Sequence, residues 1–235
     1  MMNFRKIGII GAMIEEVELI QQKMTVSRTV QLAGIPFIEG TFGTKSIVVC
    51  KSGVGKVNAA MCTQALIDFF EVDAVVFTGV AGALDPSLNI GDIVISTDCM
   101  QHDMDVTALG FARGIIPFQE TSIFVADAEL SKVAFEASLK LFPEQAKLGR
   151  ILSGDQFIAD RDKVHALYSE LNGSCTEMEG AATAQVCATN KIAFVIIRSM
   201  SDKANGSAPD NFTEFMKHAA LHSYQIVEEM LTQLS

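Results

Sequence analysis

Residues 6–24 read KIGIIGAMIEEVELIQQKM, a short apolar run followed by a longer amphipathic one. Residues 6–13 are rich in isoleucine, which is typical of a strand buried on both faces of a sheet. Residues 14–24 place apolar side chains at helical spacing and begin with acids, which predicts a helix. This stretch therefore predicts a strand followed directly by a helix.

The same alternation continues along the chain. Further strands are predicted at SIVVCKSG (46–53), AVVFTGVAG (74–82), GDIVIS (91–96) and IAFVIIRSMSD (192–202). Further helices are predicted at GKVNAAMCTQALIDFF (55–70), DAELSKVAFEASLKLF (127–142), GAATAQVCATN (180–190) and NFTEFMKHAALHSYQIVEEMLTQL (211–234). Such alternation predicts an α/β fold with a mostly parallel sheet that helices cover on both faces.

One segment departs from the alternation. Residues 29–50, TVQLAGIPFIEGTFGTKSIVVC, contain three extended runs with glycines at the turns and no helix between them. A local antiparallel meander is expected there. No linker or repeat divides the chain, so we predict one three-layer domain over residues 1–235, with a mixed central β-sheet flanked by helices.

Composition narrows the classes of function. The formal net charge of −10 disfavours binding to nucleic acid or to an anionic membrane surface. No apolar run approaches the length of a membrane span, and the opening residues resemble a buried strand more than a signal peptide. The five cysteines form no C-x-x-C pair, so we expect neither disulfides nor a zinc site, and a cytoplasmic location.

Familiar cofactor motifs are incomplete in this chain. KSGVGKVN (51–58) lacks the first glycine and the final Ser or Thr of a Walker motif, because Cys50 and Val57 occupy those positions. The third glycine of a dinucleotide fingerprint is missing too, so a tight strand-to-helix turn is expected. His218 and His222 have helical metal-pair spacing without a zincin glutamate between them, and HDMD (102–105) is expected to bond its own backbone. No metal or cofactor is expected.

Acidic side chains recur where predicted strands end. Glu15 and Glu16 follow the first strand, Asp155 follows residues 150–152, and Asp202 ends the 192–202 run. Ligands of open α/β sheets bind at such ends, so these acids are expected to approach one cleft. If residues 174–180, SCTEMEG, continue the helix at 180–190, the two glutamates in that stretch point to nearly opposite sides, and one of them faces inward.

Ordered motifs along the whole chain carry a resemblance. They are KIGIIGAMIEEV, KSGVGKVNAA, TGVAGAL, GDIVIS, HDMDVTALG, SGDQFI, EMEGAATAQV and RSMSD. Together they resemble the 5′-methylthioadenosine/S-adenosylhomocysteine nucleosidases of the purine nucleoside phosphorylase superfamily. The resemblance implies a nucleoside phosphorylase-like fold and hydrolysis of an adenine N-glycosidic bond without a cofactor.

The resemblance also implies residue roles. Asp202 would protonate adenine N7 and Glu16 would activate the attacking water as general base. Glu179, with Met178 beneath the sugar, would bind the ribose hydroxyls, and Arg198 would help to hold the water. Glu179 would therefore be the inward acid of residues 174–180, leaving Glu177 as the outward one.

Further positions follow from the same motifs. Phe157 would stack on adenine beside the backbone of Ile158, and Ala81, Gly82 and Ser201 would also contact the substrate. An apolar pocket for the 5′-alkylthio group would use Met13, Val54, Val106, Phe111, Pro117 and Phe212. In the family a second subunit supplies part of this pocket, so a homodimer is implied. The chain departs from the usual family residues at Ile14, Val80, Leu109, Phe111 and Gly180.

Other functions stay open at this point. A nucleoside phosphorylase would need several cations for phosphate, whereas only Arg198 lies in a site motif. A futalosine-type nucleosidase would share the chemistry with a larger 5′ substituent. A non-catalytic nucleoside-binding module would not need both Glu16 and Asp202, and an NAD-dependent oxidoreductase lacks its glycine fingerprint.

Overall fold

The computed structural model describes residues 4–203 and 208–234, and the side chains of residues 4–203 and 215–234. The strands are β1 (Lys6–Gly11), β2 (Thr25–Leu32), β3 (Ile35–Phe42), β4 (Lys45–Lys51), β5 (Ala74–Ala83), β6 (Ile93–Gln101), β7 (Ile123–Val125), β8 (Ala146–Ser153), β9 (Gly173–Glu177) and β10 (Ala193–Asp202). The helices are α1 (Glu18–Lys23), α2 (Lys56–Asp68), α3 (Ala128–Leu141), α4 (Arg161–Leu171), α5 (Gly180–Asn190) and α6 (Ala208–Gln233).

These strands form one mixed sheet in the order β10-β6-β8-β9-β5-β1-β4-β3-β2. Because β10 also pairs with β5, the strands β10, β6, β8, β9 and β5 close into a ring. The predicted antiparallel meander is confirmed as β2-β3-β4. Among the described strands outside the meander, five pairs are parallel, as expected for most of the sheet. Three are antiparallel, namely β6 with β7, β6 with β10, and β9 with β5, so the whole sheet is mixed.

The alternation of side chains along the strands separates two apolar layers. Ile10 and Val75 belong to a core cluster that contains residues of α2 and α5. Ile9 and Val76 belong to another cluster, which contains residues of α1, α3 and α6. Since successive strand residues point to opposite faces, both faces of the sheet are covered by helices, and the predicted flanked, mixed-sheet fold is confirmed.

Some predicted boundaries and elements differ from the structure. The predicted helix at residues 14–24 is a 3₁₀ turn at Ile14–Glu16 followed by the short α1. The Glu16 carboxylate accepts bonds from the backbone N–H groups of Ala12 and Met13, which bends the chain back at this point. Three elements were not expected from the sequence, because they are short or lack a long apolar run: β7, β9 and α4.

The long terminal helix, α6, packs on the sheet, with Tyr224 and Val227 buried in the same cluster as Ile9. No helix in the described part of the chain has both the length and the apolar character that crossing a bilayer requires. All five cysteines are buried free thiols. The fold thus leaves the carboxyl ends of the parallel strands β1, β5 and β10 side by side at one edge of the sheet.

Candidate active site

A cavity that encloses about 610 Å³ of space, part of it open to solvent, lies where β1, β5, β9 and β10 end. It is lined by Ala12, Met13, Glu16, Val54, Val80, Ala81, Gly82, Gln156, Phe157, Ile158, Thr176, Glu177, Met178, Glu179, Ser201 and Asp202. Four of these residues are acids, and none of the described lining residues is a lysine or an arginine.

Glu16 is buried at the turn that follows β1. Its Oε2 accepts from the N–H groups of Ala12 and Met13, and its Oε1 accepts from the N–H of Val80 at 3.1 Å. A Cβ on Gly79 would approach Oε1 to 2.4 Å, so only glycine leaves room for this carboxylate. Burial raises the pKa of Glu16 above its usual value, although the nearby Arg198 acts against the rise.

Glu177 is not the outward residue that the sequence analysis expected. It ends β9, where its side chain is buried and accepts from the Arg198 guanidinium and the Ser153 hydroxyl. Its carboxylate also accepts from the N–H of Gly180 at 2.8 Å, at the start of α5. The expectation failed because the chain is a strand up to this residue, so helical spacing does not relate it to Glu179.

Glu179 lies between β9 and α5, and it is buried as predicted. Its Oε1 accepts from the N–H of Gly55 at 2.8 Å. Its Oε2 is 4.0 Å from Arg198 Nη2, beyond hydrogen-bond distance. Burial, and then the negative charge of Glu177, raise the pKa of Glu179 to about 8. This carboxyl group is therefore more readily protonated than an ordinary glutamate.

Asp202 is the last residue of β10 and is 4% exposed. The Ser201 hydroxyl donates to its Oδ1 at 2.8 Å. A Cβ on Gly82 would lie 2.8 Å from Oδ2, so the carboxylate rests directly against the backbone of β5. Burial raises the pKa of Asp202 above its usual value, while the Ser201 bond opposes this rise. A buried carboxyl of this kind is suited to donating a proton.

Apolar side chains form the other wall of the cavity. Met13, Val54, Phe157, Ile158 and Met178 all line it. Phe157 is 55% exposed and Val54 is 51% exposed, so both stand at its rim. The cavity thus joins an acidic floor to an apolar, partly aromatic wall, which suits a ligand with an aromatic ring and a polar, reacting centre.

Known proteins share this arrangement of fold and motifs. A model of the phosphorylase superfamily matches residues 6–232. The chain belongs to the phosphorylase superfamily. A 5′-methylthioadenosine/S-adenosylhomocysteine nucleosidase of Shewanella denitrificans is 43% identical over 230 residues, 97% of this chain and 100% of the relative.

Solved structures agree with this assignment. The Colwellia psychrerythraea 34H nucleosidase of that name, in complex with adenine, has a TM-score of 0.92 and 40% identity, covering 98% of this chain and 96% of its own. The Neisseria meningitidis nucleosidase in complex with methylthio-immucillin-A has a TM-score of 0.93 and 37% identity, covering 97% and 99%. The resemblance and the nucleoside phosphorylase-like fold that the motifs indicated are confirmed.

The structure brings most of the predicted site of this superfamily member to one place. The predicted residues that line the cavity are Met13, Glu16, Val54, Ala81, Gly82, Phe157, Ile158, Met178, Glu179, Ser201 and Asp202. Arg198 is buried behind them, and it is not among the described lining residues. Their individual roles remain predictions.

Part of the predicted 5′ pocket lies elsewhere. Val106, Phe111 and Pro117 are half-buried between β6 and β7, and they are not among the described residues that line the cavity. The Phe111 ring packs edge-on against Phe118, with 6.0 Å between the ring centroids. The side chain of Phe212 lies outside the described residues.

Five of the lining residues were not predicted from the sequence: Ala12, Val80, Gln156, Thr176 and Glu177. Val80 had been noted only as a departure from the family, and its backbone N–H holds Glu16. The buried Thr176 hydroxyl has no hydrogen-bond partner among the described residues, and no sequence pattern marks it. Within the described residues, no group of three or more His, Cys, Asp or Glu side chains could hold a metal ion.

Proposed function

We propose that this chain hydrolyses the N-glycosidic bond of 5′-methylthioadenosine and S-adenosylhomocysteine, and also of 5′-deoxyadenosine. The products are adenine and the 5-substituted ribose. One observation carries the proposal: Glu16, Glu177, Glu179 and Asp202 line one cavity beside an apolar wall, with no cation among its described lining residues. The names of the related nucleosidases support the same activity.

The acidic floor matches the charge that develops during this reaction. Breaking the bond between adenine and ribose leaves positive charge on the sugar and negative charge on the departing base. Carboxylates near the sugar stabilise its positive charge, and a proton donor near adenine stabilises the negative charge of the departing base. Such a cavity therefore favours the transition state over the neutral substrate.

Asp202 acts as the general acid in this proposal. Burial raises its pKa, which favours the protonated carboxyl group from which adenine N7 can accept a proton. The Ser201 hydroxyl fixes the orientation of the carboxyl group through Oδ1. Protonated adenine leaves as a neutral base instead of an anion, which lowers the barrier to cleavage.

Glu16 acts as the general base at the far side of the sugar. Three backbone N–H groups hold its carboxylate in one orientation, from which it takes a proton from the attacking water. Arg198 assists by holding the water and by its positive charge, which favours the ionised form of Glu16. The water oxygen then bonds to the anomeric carbon as the base departs.

The remaining contacts position the nucleoside. Glu179 accepts from the ribose hydroxyls, with Met178 packed beneath the sugar. Phe157 stacks on adenine, and Ile158 contacts its edge. These interactions hold the anomeric carbon between the acid and the base, which reduces the entropy that the reaction must lose. Ala81 and Gly82 supply a flat backbone surface for the ring.

Water is a better fit than phosphate as the attacking group. A phosphate dianion entering this cavity would meet acidic side chains, and the nearest arginine, Arg198, is already bonded to Glu177. Phosphate recognition requires cationic or N–H donors arranged around the anion. We therefore favour hydrolysis over phosphorolysis.

A homodimer completes the 5′ end of the site in this proposal. Val57 and Met61 expose apolar side chains on α2, and Leu109 and Phe118 do so between β6 and β7. We infer that these side chains belong to one contact surface, since a contiguous apolar patch exposed on a monomer often marks such a surface. Val106, Phe111 and Pro117 of one subunit would then close the 5′ pocket of its partner.

The direct test incubates the purified protein with 5′-methylthioadenosine, S-adenosylhomocysteine and 5′-deoxyadenosine separately. Liberated adenine is measured by chromatography against a protein-free control. Adenine from the first two substrates supports the proposed activity. If neither of the first two substrates releases adenine, the proposed activity is contradicted. If only 5′-deoxyadenosine fails to release adenine, the proposal is wrong for that substrate alone.

A further inference from the structure

Lys56, the first residue of α2, makes contacts that the mechanism above does not use. Its ammonium Nζ lies 2.6 Å from Asp103 Oδ1 and 2.9 Å from Gln101 Oε1. The Lys56 and Asp103 side chains are only 18% and 14% exposed, so this ion pair is shielded from water. Asp103 thus bonds to Lys56 and to the loop after β8, whereas Asp105 accepts from the N–H of Thr107, which is the local backbone bond that was expected for residues 102–105.

A second set of bonds joins the loop after β8 to the same pair. The backbone N–H of Lys56 donates to Asp155 Oδ1 at 2.8 Å. The backbone N–H of Asp155 in turn donates to Asp103 Oδ2 at 3.0 Å. Lys56, Asp103 and Asp155 therefore tie together the loops that follow β4, β6 and β8. We call these three residues the rim clamp.

Each clamped loop carries a part of the cavity or lies beside it. Gly55, immediately before Lys56, donates its N–H to Glu179 Oε1. Its φ of 101° belongs to the left-handed region, and a Cβ there would approach Asp155 Oδ1 to 3.2 Å. Phe157 lies two residues after Asp155 and lines the cavity. The clamp therefore acts on the sugar side and the base side of the site together.

We propose that Lys56 is a positioning residue, which through the rim clamp aims the Gly55 N–H at Glu179 and holds Phe157 over the bound base. This inference rests on the proposed function, because it assigns Glu179 and Phe157 to the nucleoside. Lys56 itself is not among the described residues that line the cavity. Its effect on the reaction is therefore transmitted by the neighbouring loops.

The structure predicts a specific kinetic pattern for removal of this charge. Asp202 and Glu16 make none of their described hydrogen bonds with the rim clamp, so the proton-transfer groups keep their positions. By contrast, the Gly55 contact to Glu179 on the sugar side and the placement of Phe157 on the base side both lose the ion pair that holds their loops. Because these contacts hold the base and the sugar alike in the substrate complex and in the transition state, their loss appears mainly as a higher KM, with a smaller change in kcat.

The test compares Lys56→Met with the unsubstituted protein, since methionine keeps the aliphatic stem and removes the charge. KM for 5′-methylthioadenosine is expected to rise about tenfold, while kcat changes by less than about threefold. The dissociation constant of adenine, measured by calorimetry, is expected to rise about tenfold as well. Lys56→Arg, which keeps the charge, is expected to recover at least part of the loss.

Lys6 provides a matched control. Its Nζ lies 2.7 Å from Glu39 Oε1 in a partly buried ion pair at the start of β1, and neither residue lines the cavity. Lys6→Met should lower the melting temperature without changing KM. A purely structural role for Lys56 would give the same result for Lys56→Met, and that result would overturn the inference.

A double-substitution cycle tests whether the clamp acts as one unit. Asp103→Asn removes the partner charge and should raise KM as Lys56→Met does, and the double variant should show little further rise. Fully additive rises would contradict a shared mechanism. The two proposals fail separately: without adenine release from the unsubstituted protein the function is wrong, whereas release with an unchanged KM in Lys56→Met refutes only the positioning role.

Discussion

The Arg198 guanidinium bonds the Glu177 carboxylate and stays 4.0 Å from that of Glu179. The positive charge of Arg198 is thus paired with Glu177, the residue that had been expected to point outward. Burial, and then the nearby charge of Glu177, raise the pKa of Glu179 to about 8. The cavity therefore has the buried Arg198–Glu177 ion pair beside it. The carboxyl group of Glu179, which lines the cavity, is more readily protonated than that of an ordinary glutamate.

Replacing Glu177 tests the importance of this pair for stability. Glu177→Gln leaves the Arg198 charge without its partner in a site where both side chains are almost fully buried. Removing one member of a buried pair typically costs about 3–5 kcal/mol. The free energy of unfolding, measured with denaturant, should fall by about this amount. In contrast, Glu136→Gln, which breaks the exposed Lys132–Glu136 pair, should change it by less than about 1 kcal/mol.

Replacing the acids of residues 14–18 tests the choice of general base. Glu16→Gln should lower kcat by about 10²- to 10⁴-fold, because the amide cannot accept a proton from water. Glu15→Gln and Glu18→Gln should cost little, since neither residue lines the cavity. Steady-state kinetics and a melting curve for each variant separate catalysis from folding. Equal losses in kcat for all three would mean that the base has been misassigned.

Asp202→Asn tests the general acid and its pH dependence. Turnover should fall by about 10²- to 10⁴-fold while adenine still binds. Because the acid works in its protonated form, activity of the unsubstituted protein should decline as pH rises through the raised pKa of Asp202. The pH–rate profile should lose this decline in the variant. Near-normal turnover would show that Asp202 has only a structural role.

Selectivity at the 5′ position tests the apolar pocket. Burial of a methylthio group contributes about 0.8 kcal/mol per carbon, whereas an unpaired hydroxyl costs about 1–3 kcal/mol. We expect kcat/KM for 5′-methylthioadenosine to exceed that for adenosine by at least about tenfold.

Phe111→Ala should reduce this preference, because Phe111 would close the pocket of the partner subunit. Phe69→Ala, which trims an exposed ring outside the cavity, is the matched control and should leave the preference unchanged. These expectations are checked by measuring kcat/KM for adenosine and for 5′-methylthioadenosine in the unsubstituted protein and in both variants. Comparable values for adenosine and 5′-methylthioadenosine in the unsubstituted protein would refute the apolar pocket.

The periodic parts of the fold were predictable from sequence. α5 spans the predicted residues 180–190, because the apolar small residues of this segment fit a buried helix. The directions of the strands in the mixed sheet were harder to predict, since strand direction depends on pairing between distant segments. Local patterns do not encode whether β6 runs with or against β10.

The residues of the candidate site were likewise predictable only in part. The acids after β1 and at the end of β10 were predictable from their positions at strand ends. Glu177 was not, because its burial depends on Ser153 and Arg198, which are distant in sequence. The rim clamp was missed for the same reason: its members come from the start of α2 and from the loops after β6 and β8, which only the folded chain brings together.

In the proposed reaction water, and not phosphate, attacks the ribose in an acidic cavity. The most direct measurement is mass spectrometry of the sugar formed from 5′-methylthioadenosine, with and without added phosphate. We expect free methylthioribose in both reactions, at rates that do not depend on phosphate. A phosphorylated sugar whose formation requires phosphate would show that the enzyme is a phosphorylase and not a hydrolase.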